Sequence, residues 1–191
     1  MSTLSSDVQR VLRRLKPEKR LKPLTRRDAT ELRFLDPDAD LPPKLLYDTT
    51  VYIDILQDRF AQEGEIVLRA ADAWHSTVTE AELVGACGFL HPGHPETALA
   101  IKRILETIEK RPAHRTIAPD REAWIEAGVL CGVLARLQGY SRMERRRLMN
   151  DALLFATARK SGLTLLTRNI SDFDLLQQLD PSVSVLFYHQ R

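Results

Sequence analysis

From Lys44 onward the chain alternates short apolar runs with segments of helical periodicity. This alternation is typical of βα units around a largely parallel sheet. We therefore predict an α/β fold. The predicted strands are residues 45–47, 74–78, 163–167 and 183–188, and the predicted helices are residues 50–58, 63–72, 80–89, 95–110, 120–138, 150–160 and 172–179.

The segment that precedes this alternation is basic. Residues 1–27 contain nine Lys or Arg and two acidic residues, whereas the whole chain has a net charge of only +2. Apolar spacing predicts a short amphipathic helix at residues 6–15, and the prolines of residues 36–43 predict a linker. We therefore divide the chain into a basic N-terminal extension, residues 1–44, and a domain, residues 45–191. The extension could bind RNA, bind an acidic partner or be solvated; its acids and prolines disfavour a mitochondrial presequence.

Composition excludes several other classes of protein. The two cysteines, Cys87 and Cys131, lie in apolar runs, which indicates buried thiols and not a disulfide framework. The longest apolar stretch is about half the roughly 18 residues that a membrane span needs. We expect a cytoplasmic protein that does not contact a membrane. The five histidines lack the spacing of zinc ligands.

Carboxylates follow the predicted strands or begin the predicted helices, at the edge of the sheet where α/β proteins bind ligands. They are Asp48, Glu82, Asp151 and Asp172. Neighbouring carboxylates raise one another's pKa unless a cation compensates them, and Mg²⁺ or Mn²⁺ prefers such oxygen ligands. A divalent ion can activate water and neutralise the charge that develops on a phosphodiester. The pattern therefore indicates metal-dependent hydrolysis of nucleic acid.

Each acid also has a purely structural interpretation. Glu82 completes a capping-box pattern that begins at Thr79. Asp151 and Asp172 lie at the predicted starts of helices, where any acid stabilises the N-terminus. Asp48 would cap a helix only if Thr49 and Thr50 begin it. Both interpretations remain open for all four acids.

Segments around the four acids resemble, in order, the acidic motifs of the PIN-domain ribonucleases, and among these the VapC-like toxins of type II toxin–antitoxin systems. The segments are residues 47–53 (YDTTVYI), 76–85 (STVTEAELVG), 150–158 (NDALLFATA) and 167–173 (TRNISDF). The resemblance extends over about residues 45–188. The basic extension is a departure, because typical toxins of this type lack it.

This resemblance implies a three-layer α/β/α sandwich with a mainly parallel central sheet. It also implies a cytoplasmic, Mg²⁺-dependent (or Mn²⁺-dependent) endoribonuclease that hydrolyses RNA phosphodiesters, forms a homodimer and is blocked by a small antitoxin protein. One or two metal ions could bind.

The resemblance assigns the catalytic set to Asp48, Glu82, Asp151 and Asp172. Three of these acids, all except Glu82, would hold the metal directly or through water, and Glu82 would help to position the metal-bound water. The supporting residues are Thr49, Thr50 and Asn169. Glu80 and Asp174 remain competitors for the second and fourth positions.

Positive charge near the acids is needed to hold an RNA backbone. The predicted RNA-binding residues are Arg145, Arg146, Arg147 and Arg168. The alternative for the first three is a solvated helix face that begins with a capping box from Ser141 to Glu144. A rival function is a nuclease-dead, PIN-like scaffold that binds RNA or protein through the extension. A phosphate-accepting receiver domain fits less well, because no Lys follows the last predicted strand.

Overall fold

The apolar runs of the sequence form the centre of the fold. This computed structural model describes residues 3–36, 44–60 and 71–191. Its five strands are all parallel and lie in the order β3-β2-β1-β4-β5. They are β1 (Lys44–Tyr47), β2 (Asp72–Ser76), β3 (Thr116–Ile117), β4 (Thr164–Thr167) and β5 (Val185–Phe187). The sequence does not predict β3, which has only two residues.

Helices connect the strands and cover the sheet. They are α1 (Leu4–Leu15), α2 (Thr49–Leu56), α3 (Thr77–Phe89), α4 (Thr97–Glu109), α5 (Arg121–Gln138), α6 (Arg142–Ser161) and α7 (Ile170–Leu179). The helix predicted at residues 63–72 and most of the predicted linker lie outside the described residues. Within the described part of the chain, no helix combines the length and apolarity needed to cross a membrane. The cytoplasmic location stays a prediction.

Side chains alternate between the two faces of the sheet, and each face has its own apolar core. Leu46 and Leu165 point into the core that contains α1, α5, α6 and α7. Leu45 and Leu166 point into the other core, with α2 and α3. These two cores confirm the predicted three-layer sandwich.

The second strand and its helix lie earlier in the sequence than predicted. Ser76 ends β2 and caps α3, because its hydroxyl accepts a hydrogen bond from the N–H of Val78. The capping box predicted from Thr79 to Glu82 is therefore wrong. Thr79 lies in the third position of the helix, and its hydroxyl donates to the carbonyl of Tyr47 at 3.4 Å.

Asp151, the third of the four acids, is not at a helix N-terminus. The capping box from Ser141 to Glu144 is present and begins α6 at Arg142, eight residues before the predicted start. The arginine run therefore forms the first two turns of this helix, and Asp151 lies in its middle. Capping of a helix N-terminus cannot explain an acid at this position.

The basic extension packs against the rest of the chain. Helix α1, which the sequence predicts at residues 6–15, buries Val11 and Leu15 in the core beside α5. Arg14 forms ion pairs with the buried Glu126 (2.7 Å) and Asp180 (3.0 Å). Acids of the same chain therefore neutralise part of the positive charge of the extension.

The end of the described extension covers an edge of the sheet. The N–H of Leu35 donates to the carbonyl of Phe187 at 2.6 Å, and the N–H of Phe187 donates to the carbonyl of Arg33 at 2.9 Å. Phe34 forms a parallel bridge with Phe187 and stacks on His189, with ring centroids 4.3 Å apart. These contacts protect a sheet edge that would otherwise be free to pair with another chain.

A buried histidine predicts how stability depends on pH. His75 forms a hydrogen bond with the hydroxyl of Tyr52, and the guanidinium of Arg111 lies 3.9 Å from the centre of the Tyr52 ring. Burial, followed by the charges of Arg111 and Arg115, lowers the pKa of His75 from 6.5 to about 4. Between these values the unfolded chain binds a proton that the folded protein does not, so stability falls as the pH falls.

We expect His75 to reduce the free energy of unfolding by about 2 kcal/mol between pH 7 and pH 5. Urea unfolding at both pH values, on the wild type and on His75→Gln, measures this contribution. The variant should lose less stability than the wild type over this interval. An equal loss in both proteins would contradict the assignment.

Candidate metal centre

The strand order places the candidate site at a topological switch point. β1 and β4 lie side by side, with Tyr47 paired to Leu166, and their chains continue into helices beyond the same edge of the sheet. Parallel α/β sheets bind ligands in the crevice at such a point. Asp48 directly follows β1, and Asn169 lies two residues after β4.

Neutral donors hold Asp48, which is only 4% exposed. One carboxylate oxygen accepts the N–H of Thr49 at 2.7 Å, so that Asp48 is the N-cap of α2. The other accepts the hydroxyls of Thr50 and Thr167, each at 2.7 Å. Sequence reasoning missed Thr167, although a threonine at the end of the neighbouring strand is a usable signal.

Glu82, and not Glu80, contacts the other elements of the site. Thr49 donates its hydroxyl to one oxygen of Glu82, and the amide of Asn150 donates to the other at 2.7 Å. The charge of Glu80 instead acts on Arg111: burial lowers the pKa of that guanidinium, and the charge of Glu80 opposes this shift. Asn150 was also missed, although it directly precedes the third acid.

Asn169 joins the last two acids. Its amide nitrogen donates to Asp151 at 3.2 Å and to Asp172 at 3.0 Å. Its amide oxygen caps α7 and accepts the N–H of Asp172 at 3.3 Å. The competitor, Asp174, is completely buried on the same helix and forms an ion pair with Arg27.

Burial and the charges of neighbouring acids both disfavour ionised carboxylates at the site. Burial, followed by the charges of Asp48, Asp172 and Glu82, raises the pKa of Asp151 well above its ordinary value. Burial also raises the pKa of Asp48; hydrogen bonds from Thr50, Thr167 and Thr49 oppose this shift, and the charge of Glu82 adds to it. The folded protein therefore holds these carboxylates close together at a cost in free energy.

Buried acids elsewhere in the structure have arginine partners. Asp54 pairs with Arg168 at 2.7 Å, and Glu126 pairs with Arg159 at 2.6 Å. By contrast, none of the four candidate acids forms an ion pair with any residue that the structure describes. The site therefore combines several carboxylate oxygens with no compensating cation from the protein.

This donor set fits a hard divalent cation that keeps part of its water shell. Among the residues described, no three His, Cys, Asp or Glu side chains are grouped closely enough to hold a metal by themselves. Mg²⁺ does not need such a cage, since it usually binds one or two carboxylates and retains several waters. Asp48, Asp151 and Asp172 offer oxygen ligands of this kind.

The predicted RNA-binding arginines have different surroundings. Arg145 and Arg146 are exposed on the first turns of α6, and Arg147 lines a cavity that also contains Asp172. The guanidinium of Arg168 donates to the buried Asp54. Arg168 could therefore contact RNA only through the part of its guanidinium that Asp54 leaves free.

Comparisons with solved structures identify proteins of similar fold. The chain is similar in structure to VapBC2 from Rickettsia felis in a complex with promoter DNA (TM-score 0.54, 14% identity, 76% of this chain and 99% of that chain). It is also similar to FitAcB from Neisseria gonorrhoeae (TM-score 0.56, 22% identity, 74% and 96%). A third similar structure is VapBC-5 of Mycobacterium tuberculosis, a member of the VapBC family of toxin–antitoxin systems (TM-score 0.51, 23% identity, 78% and 99%).

At these identities the structural similarities establish the fold. No curated protein matches the chain in sequence. A family model does match, over residues 45–176, and its description is PIN domain. This match covers more than half of the chain and includes all four acids. The chain therefore belongs to the PIN domain family.

Proposed function

We propose that this protein is a Mg²⁺-dependent endoribonuclease and the toxin of a toxin–antitoxin pair. The observation that carries the proposal is the contrast between the buried acids elsewhere in the fold and the four acids of the site, of which Asp48 is buried and the others are half-buried. Those outside the site have arginine partners, whereas the four at the switch point have hydroxyl and amide partners that leave their charge uncompensated. A protein tolerates such repulsion where function requires it.

Asp48, Asp151 and Asp172 would hold the ion directly or through water. When bound, Mg²⁺ supplies Lewis-acid stabilisation and a water of lowered pKa. Glu82 would accept a proton from the attacking water; hydrogen bonds from Thr49 and Asn150 to its carboxylate support this role.

Asn169 has a positioning role in this mechanism. Its single amide group orients Asp151 and Asp172 together, and Thr167 fixes Asn169 in turn by accepting its backbone N–H at 2.9 Å. The same threonine donates to Asp48. Two neutral residues therefore connect three of the acids, which keeps the ligand oxygens in place without cancelling their charge.

The choice of RNA as substrate rests on the resemblance to PIN-domain ribonucleases and on the exposed arginines that begin α6. Arg145, Arg146 and Arg147 lie on the helix that carries Asp151, within three turns of it, and could hold phosphates without reading the sequence.

An apolar cavity of about 330 Å³ supports a protein partner. Its lining residues come from α2, α3 and α4 and include Ile53, Leu83 and Ile104. Phe89 on α3 is 91% exposed, as expected of a residue that another chain covers. The similar structure VapBC-5 belongs to a family of toxin–antitoxin systems, so we propose a small antitoxin as this partner. The homodimer stays a prediction.

The proposal is tested with purified protein and pooled RNA in Mg²⁺, in EDTA, and in EDTA followed by excess Mg²⁺. We expect cleavage in the first, none in the second and recovery in the third. Equal cleavage in all three would contradict the metal centre. No cleavage under any condition, with RNA nevertheless bound, would favour the nuclease-dead scaffold.

A further inference from the structure

A polar cavity of about 240 Å³ lies directly beside the acids, on the side of Asp172. Its lining combines the N-terminal extension with the ends of α5, α6 and α7: Arg26, Tyr140, Glu144, Arg147, Leu148 and Asp172. The extension, which precedes the part of the chain matched by the PIN domain model, therefore supplies part of the wall next to the candidate metal centre.

Hydrogen bonds fix the backbone on both sides of Arg26. The carbonyl of Leu24 accepts from a glutamine of α5 at 2.9 Å, and that of Thr25 accepts from a glutamine of α7 at 3.0 Å. Arg27 donates its backbone N–H at 2.9 Å and its guanidinium at 2.6 Å to the buried Asp174. These hydrogen bonds attach the residues on both sides of Arg26 to α5 and α7, and they thereby hold the backbone of Arg26 at the cavity.

The Arg26 side chain itself is exposed, and it forms no ion pair or hydrogen bond with the residues that the structure describes. The same is true of Arg147 on the opposite element. Other arginines of the extension contact acids or carbonyls of the domain through their guanidinium groups; these are Arg14, Arg20 and Arg27. Two uncommitted guanidinium groups therefore share one cavity beside the acids.

The charge of the cavity suits an anion once the acids hold a metal. Of its two carboxylates, Glu144 accepts the N–H of Ser141 at 2.7 Å in the capping box, and Asp172 belongs to the acid cluster. A divalent cation at that cluster offsets the charge of Asp172, which leaves two arginines against one carboxylate. Arginine binds phosphate in a fixed, bidentate geometry.

We propose that Arg26 and Arg147 together bind a backbone phosphate of the RNA next to the one that is cleaved. This inference rests on the proposed function and deepens it. The extension becomes part of the substrate site, and by fixing one phosphate at a set distance from the acids it selects which phosphodiester reaches them.

Binding can be measured separately from cleavage in a Glu82→Gln background, which keeps the three proposed metal ligands and removes the carboxylate proposed to accept the proton of the attacking water. A fluorescent single-stranded RNA is titrated in Mg²⁺ at several salt concentrations from about 50 to 200 mM, and its anisotropy reports the affinity. Arg26→Ala is compared with Lys22→Ala, which removes the same charge from an exposed position of the same extension outside the cavity. Thermal unfolding verifies that both variants fold.

We expect Arg26→Ala to weaken binding about tenfold, in the range typical of a lost charge-assisted phosphate contact. It should also reduce the slope of log affinity against log salt by about 0.7, the value for one contact to a single strand. Arg147→Ala should act in the same way, and Lys22→Ala should change the affinity less than twofold.

Equal effects of Arg26→Ala and Lys22→Ala, or no RNA binding by any variant, would overturn the proposal. Binding of polyglutamate at the cavity in preference to RNA would also overturn it, in favour of an acidic protein partner. Loss of affinity in Arg26→Ala without any cleavage by the wild type would support this phosphate site and reject the nuclease activity, so the two failures are distinguishable.

Discussion

Replacement of Asp48 by Asn is expected to reduce Mg²⁺-dependent RNA cleavage about a thousandfold. Metal-ion stabilisation of a phosphoryl transition state contributes several kcal/mol, and each 1.36 kcal/mol corresponds to about a factor of ten in rate. Asn keeps the N-cap of α2, because its side-chain oxygen accepts the Thr49 N–H as well as Asp does. It removes the charge that binds the ion.

Initial rates on a fluorescent RNA at saturating Mg²⁺ measure this effect. Asp58→Asn is the matched control, since it makes the same substitution at an exposed residue with a positive φ of 53°, which Asn tolerates. The control should cleave at the wild-type rate. Activity of Asp48→Asn within a few fold of wild type would refute the site, as would an equal loss in the control.

Replacement of Arg27 by Ala should cost about 3 kcal/mol of folding stability. Its partner, Asp174, is 0% exposed and accepts the backbone N–H and the guanidinium of Arg27. Removal of the guanidinium leaves a buried carboxylate without its charge partner, which typically costs about 3 to 5 kcal/mol. The lower end applies because the Arg27 side chain is 30% exposed, which lets water partly compensate.

Urea unfolding of Arg27→Ala and of the adjacent Arg26→Ala separates this ion pair from general loss of charge. Arg26→Ala should change the free energy of unfolding by less than about 0.5 kcal/mol, as exposed substitutions usually do. Adding Asp174→Asn to Arg27→Ala should restore part of the loss, because it removes the uncompensated charge. Equal free energies of unfolding for the two single variants would show that the Arg27–Asp174 ion pair does not stabilise the packing of the extension.

The sheet and the general position of the acids follow from the sequence because they depend on local periodicity. Apolar runs such as residues 45–47 identify buried strands, and polar residues just after them fall at the functional edge. The attachment of the extension has no such signal. Arg27 and Asp174 are separated by 147 positions, and only the folded chain brings them together.

The choice between neighbouring acids also needed the structure. Glu80 and Glu82, like Asp172 and Asp174, lie two residues apart on a helix and so point to opposite sides of it. Sequence alone shows that only one of each pair can face the site. It does not show which one, because that depends on the rotation of the helix against the sheet. The start of α6 was missed because its first six residues contain a single apolar side chain, the exposed Met143, and so have no apolar face to mark them.

We propose that the four acids are held together to bind a metal, at a cost to the stability of the metal-free protein. Burial, followed by the charges of the neighbouring acids, raises the pKa of Asp151 above 3.8, so ionised Asp151 destabilises the metal-free protein. This loss of stability grows as the pH rises from about 3.8 through the folded-state pKa, and it is fully present above that value. Asn at this position does not ionise, and it can still accept the hydrogen bond from Asn169.

Thermal unfolding of the wild type and of Asp151→Asn, each with EDTA and with Mg²⁺, tests this claim most directly. We predict that in EDTA at neutral pH the variant is more stable than the wild type, by about 1 kcal/mol. Mg²⁺ should raise the unfolding temperature of the wild type and leave that of the variant nearly unchanged. A variant that is less stable than the wild type in EDTA and gains as much from Mg²⁺ would contradict the account.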